Sequence, residues 1–266
     1  MSSKVPRALS IAGSDSGGCA GIQADLKTFT ALGVFGMSVV TCVTAQNTRS
    51  VVGIHDLPYE FVELQIDAVL GDIGADAVKL GMLSNESIVF SVAKKLIDYS
   101  TDKIVLDPVM ISTTGTALAD EGAVKAIIQR LLPITYIVMP NLPEAEALTS
   151  QKVSTVDDMK GAARKIKSLG PKYVLIKGGH LASSPDAVDL LYDGSDFTEY
   201  RVPRISTKNT HGSGCTYSAS VCAYLAKGLS VHEAVKEAKK YVTEAISRSF
   251  DLGQGHGPLN HFWKFK

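Results

Sequence analysis

The feature that most constrains this chain is a regular alternation of short apolar runs with stretches of helical period. "RALSIAG", "FGMSVVTCVTAQ", "DAVKLG", "DKIVLDP", "TYIVMP" and "KYVLIKGG" are nearly continuous apolar runs, the pattern of strands buried on both faces. Between them lie residues 21–32, "YEFVELQIDAVLGD", "NESIVFSVAKKLIDYS", "ADEGAVKAIIQRLL", "LPEAEALTS" and "TVDDMKGAARKIKSLG", which read as helices. This alternation predicts a central, mostly parallel sheet with helices on both faces, a three-layer α/β/α fold. "SVVGIHDLP" reads as a more exposed β segment, and "AVDLLYDG" with "FTEYRVPRIS" as an antiparallel pair. In the second helix the apolar repeat runs through Phe61, Leu64, Ile66 and Leu70, and Gly71 suits its end. The last helix has Ser230 as N-cap, Glu233 completing a capping box, and a stripe from Val231 through Ala238 to Ile246. No repeat or linker interrupts the pattern, so residues 1–266 are read as one domain.

Composition narrows the function. At 45% apolar the chain can bury its own core without disulfides or metals. Twenty-seven basic residues balance 27 acidic ones, which offers no basic stripe to nucleic acid and no cationic face to a membrane. The apolar runs fall short of the roughly 20 residues of a membrane span. "MSSKVPRALSIAG" has too short an apolar segment for a signal peptide. Cys19, Cys42, Cys215 and Cys222 form no CxxC pair, so free thiols and a cytoplasmic setting are expected.

Ligands of parallel α/β sheets bind beyond the carboxyl ends of the strands. Here "AGSDSGGCAG", "LGM", "DPVM", "PNLPEAE" and "KGGH" follow successive strands, which predicts a cleft along that edge. Neither glycine loop is a Walker loop, and "GSGCTY" lacks the third glycine of a dinucleotide fingerprint. Gly212 and Gly214 in "THGSGCT" suit an anion-binding turn at a helix N-terminus, or equally a turn capped by Ser213 or Thr210. Lys177 ends an apolar strand, where it either meets phosphate oxygens or snorkels to solvent. Asp107, Asn141 and Glu144 supply the oxygen ligands Mg²⁺ prefers, or Asn141 and Glu144 simply cap a helix. His180 and His211 have no second histidine at zinc spacing, and Cys42 and Cys222 read as core. Together these groups form a parts list for phosphoryl transfer, which depends on positioning and charge neutralisation.

"ALSIAGSDSGGCAGIQADLKTFTALGVFGMSVVTCVTAQN", "KLGML", "VLDPVM", "PNLPEAEAL", "IKGGH", "THGSGCTYSA" and "GHGPLNHF" resemble the hydroxymethylpyrimidine/phosphomethylpyrimidine kinases of thiamine biosynthesis, members of the ribokinase-like superfamily. The similarity runs from Leu9 to Phe262. It implies a ribokinase-like kinase, usually dimeric, that uses ATP and Mg²⁺ to phosphorylate 4-amino-5-hydroxymethyl-2-methylpyrimidine and then its monophosphate. By that resemblance Gly13, Asp25, Gln46, Met82 and Val109 line the pyrimidine site, Gln46 offering a donor and an acceptor. Asn141, Lys177 and Thr210 serve the nucleotide, Asp107 and Glu144 the metal, and Gly212, Ser213, Gly214 and Cys215 the transferring phosphate. Cys19 departs from the family's glycine run and is expected to reshape the substrate loop. Cys215 stands where sugar kinases of the superfamily carry an aspartate; a helix N-terminus is expected to lower its pKa and make it a weak base. Pyridoxal kinases share nearly all these motifs and are the nearest rival reading. A sugar kinase and a non-catalytic pyrimidine sensor are the more distant ones.

Overall fold

The computed structural model describes residues 5–110, 118–179, 181 and 184–265; His180 lies outside them. The six apolar runs form β1 (Arg7–Asp15), β2 (Phe35–Gln46), β4 (Ala77–Leu80), β5 (Ile104–Leu106), β6 (Ile137–Val138) and β7 (Tyr173–Gly178). They pair in parallel in the order β2-β1-β4-β5-β6-β7. The exposed β3 (Val51–Asp56) adds antiparallel to β2 at one edge. At the other edge β8 (Asp186–Tyr192) pairs antiparallel with β7 and with β9 (Phe197–Pro203). The result is one nine-stranded, mostly parallel sheet, as the alternation predicted.

Side chains alternate across the sheet, and the two faces build separate cores. Leu9, Ile11, Val78, Ile104 and Ile176 pack with α2 (Tyr59–Asp72), α3 (Glu86–Asp98), α4 (Glu121–Ala126), α5 (Leu142–Thr149) and α6 (Val156–Lys167). Ala8, Ala77, Val105 and Leu175 face α1 (Gly21–Ala31), α7 (Ser213–Ala226) and α8 (Val231–Ser247). Capping boxes start α5, α6 and α8, and the Asn85 side chain caps α3. The helix read as "ADEGAVKAIIQRLL" widens into a π turn at Ile127–Leu131 and tightens into a 3₁₀ turn at Leu132–Ile134, where Pro133 stands.

The apolar repeat read for α2 is corrected in part. Val62 and Ile66 are buried, but Phe61 and Leu64 are 52% and 61% exposed. The helix runs on to Asp72, and the left-handed residue that follows is Gly74 rather than Gly71. The apolar residues of α2 exceed what one packing face can bury.

Candidate active site

The carboxyl ends of the parallel strands open into one cleft of about 1070 Å³. Local irregularity aims its walls. A register shift between Ala12 and Ser14 breaks the β1–β2 ladder, and another falls at Ala45/Gln46 between β2 and β3. Gly13 sits in the first break; a Cβ there would stand 2.7 Å from Cys42 Sγ and 3.4 Å from Met82 Sδ, so only glycine fits. Gly13, Gln46, Met82 and Val109 all line the cleft. Asp25 does not. It is fully buried, accepts hydrogen bonds from Ser10 Oγ at 2.6 Å and Lys79 Nζ at 2.8 Å, and stands behind the wall. The expectation that Asp25 lines the pyrimidine site is corrected to this extent: Asp25 holds Lys79, which lines the cleft, and is not itself in the lining.

At the other end the glycine loop starts α7. Gly212 is its N-cap with φ +80°, and a Cβ there would lie 1.8 Å from the Cys19 carbonyl oxygen. Both facts require glycine. No side chain caps the helix, so the turn capped by Ser213 or Thr210 is not formed, and the first-turn N–H groups keep their capacity for an anion. Thr210, Ser213, Gly214 and Cys215 line the cleft beside Gly212. A Cβ on Gly214 would stand 3.6 Å from Lys177 Nζ and 3.8 Å from Asp107 Oδ2; the absent side chain keeps the helix start close to both charges.

Lys177 does not snorkel. Its ammonium donates to Asp107 Oδ1 at 2.5 Å, and Ser218 Oγ donates to Asp107 Oδ2 at 2.9 Å. Burial alone would raise the Asp107 pKa, but the charges of Lys177 and Lys79 outweigh it and hold the carboxyl below its usual range. An isolated bridge joins Asn141 to Lys177, so the ends of β6 and β7 stay in register. Asn141 and Glu144 do form a capping box, with bonds of 2.9 and 2.7 Å, yet both also line the cleft. The capping and cleft readings of that segment hold together. Burial pushes Glu144 up to about 7, against the opposing pull of Lys177.

The expectation for Cys215 is reversed. Burial drives its thiol up to about 11; Lys79 pulls it down, but the carboxylates Asp25 and Asp107 push the same way as burial. Cys215 is half-buried and lines the cleft, but surrounding protein and like-signed neighbours outweigh the helix N-terminus. Cys19 also differs from expectation: it is buried and does not line the cleft, so its side chain does not narrow the substrate loop.

Several site residues escaped the sequence reading. Lys79 ends an apolar strand just as Lys177 does, and the same argument applied to "AVKL" finds it. The Lys239–Asp189 pair, 2.6 Å apart, lies in the cleft wall; an aspartate inside "AVDLLY" was its signal. Asp15 and His211 have a weaker signal. With Cys19 they offer ligand atoms within 4.8 Å of one another, but Asp15 already accepts N–H bonds from Gly17, Cys19 and Ala20. That carboxylate closes a loop. The motif "GHGPLNHF" braces the glycine turn from outside: His211 N donates to Gly257 O at 3.2 Å, and His261 meets Thr216 Oγ at 2.9 Å.

Fold and cleft together define an α/β protein whose parallel strands end at an uncapped, anion-binding helix start and a lysine–aspartate pair. The phosphomethylpyrimidine kinase family model matches residues 15–260, and the chain belongs to that family. The hydroxymethylpyrimidine/phosphomethylpyrimidine kinase of Bacillus subtilis (strain 168) is 48% identical over 256 residues, covering 96% of this chain and 94% of the relative. The thiamine biosynthesis bifunctional protein ThiED of Geobacter sulfurreducens is 51% identical over 253 residues, 95% of this chain and 51% of that protein. The chain thus spans about half the length of that bifunctional relative. Among solved structures, pyridoxal kinase from Staphylococcus aureus in complex with AMP-PCP and pyridoxal superposes with a TM-score of 0.92 at 35% identity. That alignment covers 99% of this chain and 96% of the other.

Proposed function

We propose that the protein transfers the γ-phosphoryl group of ATP to the hydroxymethyl group of 4-amino-5-hydroxymethyl-2-methylpyrimidine, and then phosphorylates the monophosphate. The observation that carries this reading is the single cleft whose lining includes Gln46, Met82 and Val109 together with the uncapped glycine turn and Lys177. The first group suits a flat heteroaromatic ring with polar edges; the second suits transferring phosphate. Asn141, Thr210 and Lys177 take the nucleotide phosphates. Asp107 and Glu144 are the oxygen donors for Mg²⁺, and they fit it: with Lys79 neutralised by Asp25, two buried carboxylates against Lys177 leave a negative balance once Glu144 ionises. The ion supplies charge neutralisation on the phosphates when bound. Cys215 enters as a thiol that positions the acceptor, since a pKa of about 11 leaves only about one part in ten thousand ionised at pH 7.

Incubation with ATP, Mg²⁺ and the hydroxymethylpyrimidine, read by mass spectrometry, should yield the diphosphate. Pyridoxal phosphate as the only product in a parallel assay would replace this reading. Pyridoxal remains a second substrate class because the S. aureus neighbour binds it and Cys215, in the cleft lining, carries a thiol that can add to an aldehyde. A homodimer is part of the proposal: Val52 and Ile54 on edge strand β3 and Phe61 and Leu64 on α2 are exposed apolar side chains that a second copy would cover. Sedimentation of Phe61→Asp should then show monomer. Four free cysteines suit a cytoplasmic setting, and no helix among the described residues is long and apolar enough to cross a membrane.

A further inference from the structure

The side-chain amide of Gln46 lies between two partners that decide which way it points. With oxygen toward Thr44 and nitrogen toward His211, the contacts are 3.1 Å to Thr44 Oγ1 and 2.8 Å to His211 Nε2. Amide nitrogen and oxygen have nearly the same shape, so the hydrogen-bond network must assign them. Thr44 has one hydroxyl proton. Its 3.0 Å contact with the Ser14 carbonyl oxygen can only be a donation, because a carbonyl has no proton to give. Toward Gln46 the hydroxyl must then accept, and the amide group facing it is the NH₂.

The opposite end follows from the first. The Gln46 carbonyl oxygen faces His211, so Nε2 must carry a proton and donate it. The Asp15 carboxylate, 3.7 Å from that same nitrogen, favours the proton there. Asp15 is itself held by the backbone N–H groups of Gly17, Cys19 and Ala20 at 2.8–2.9 Å. The reversed amide would ask one Thr44 proton to serve two acceptors and would turn a lone pair of His211 toward a carboxylate. Ser16 fixes the backbone beneath: its hydroxyl accepts from Gln46 N and donates to Gln46 O, both at 2.9 Å.

We propose that His211 is a positioning residue that locks the Gln46 amide, carbonyl on His211 Nε2–H and NH₂ on Thr44, so that one remaining N–H and one remaining lone pair read the substrate ring. This rests on the proposed placement of Gln46 at the pyrimidine. An amino group beside a ring nitrogen offers a donor next to an acceptor, the complement of an oriented amide edge. The pyridoxal ring has no amino group beside its ring nitrogen, which a methyl group and a C–H flank, so at that edge it satisfies only one of the two groups. Discrimination between the two rings therefore depends on an amide that does not flip.

The test is a double-mutant cycle on steady-state kinetics with hydroxymethylpyrimidine, pyridoxal and ATP. His211→Phe should raise the KM for hydroxymethylpyrimidine about tenfold, change kcat and the ATP KM less than about twofold, and narrow the preference over pyridoxal. His211→Gln, which keeps an N–H donor at similar reach, should recover most of the loss. In a Gln46→Ala background, His211→Phe should add almost nothing. Equal losses from His211→Phe with and without Gln46 would overturn the positioning role while leaving Gln46 at the ring. An unchanged KM in Gln46→Ala alone would overturn the placement of Gln46 itself. If His211→Phe does not fold, the His211→Gln variant in both backgrounds decides: a loss of preference equal to that of Gln46→Ala would overturn the proposal, and a retained preference supports it.

Discussion

Two lysines in this sheet carry the same local pattern and have opposite surroundings. Lys79 in β4 and Lys177 in β7 each end an apolar strand, and each pairs with an aspartate. The Lys79–Asp25 pair is sealed, with both side chains at 0% exposure. The Lys177–Asp107 pair keeps 12% and 2% and lies against Gly214 at the start of α7. Lys79 reaches the cleft lining without any exposure, with its aspartate behind the wall, whereas Lys177 and Asp107 both line the cleft and Lys177 is open to it. A charged residue at a strand end thus marks the functional edge of the sheet, but only accessibility separates a ligand group from the group behind it.

That contrast predicts different failures. Lys79→Met should cost the fold about 3–5 kcal/mol, because it strands the Asp25 carboxylate in the interior; denaturant unfolding measures it. Lys177→Met should act mainly on catalysis, lowering kcat/KM about 10²–10³-fold through lost stabilisation of the transferring charge, with a smaller stability loss since Ser218 still serves Asp107. The reverse ranking would break the comparison.

Glu144 sharpens it on the accessible side. Its folded pKa of about 7 lies above the ordinary carboxyl value, so its burial is tolerated fully below about pH 4.5. The protein without ligand should lose stability, on the order of 1–3 kcal/mol, as pH rises from there through 7. Glu144→Gln should flatten that slope in thermal unfolding.

The smallest effect is expected at Cys215. With the thiol near 11, the kcat/KM profile of the first phosphorylation should show no Cys215-dependent inflection between pH 6 and 9. Cys215→Ala should slow both phosphorylations by no more than about tenfold, because a thiol near 11 positions the acceptor and does not take its proton. A loss confined to the first phosphorylation would restore Cys215 as its base and break the comparison at this point.

Much of the site was readable in one dimension. Gly212, Asp107 and Lys177 stand at strand ends or helix starts, and those positions fall on one edge of any sheet wound this way. The network around Gln46 was not readable, because Thr44, Asp15 and His211 meet across more than 160 residues of chain. The α2 face was misread for a related reason: Phe61 and Leu64 share the helix with Val62 and Ile66, and periodicity does not say which apolar residues meet a neighbour.

The order of apolar runs and helical stretches sufficed for the α/β class, the cleft edge and the kinase motifs, because strand alternation and helix winding are local properties of the chain. Burial and charge proximity are not local. The rise of the Cys215 thiol, the withdrawal of Asp25 behind the wall and the orientation of the Gln46 amide each depend on groups brought together from distant segments. Their energies arise from desolvation and short-range contact, which exist only once the sheet has closed around them.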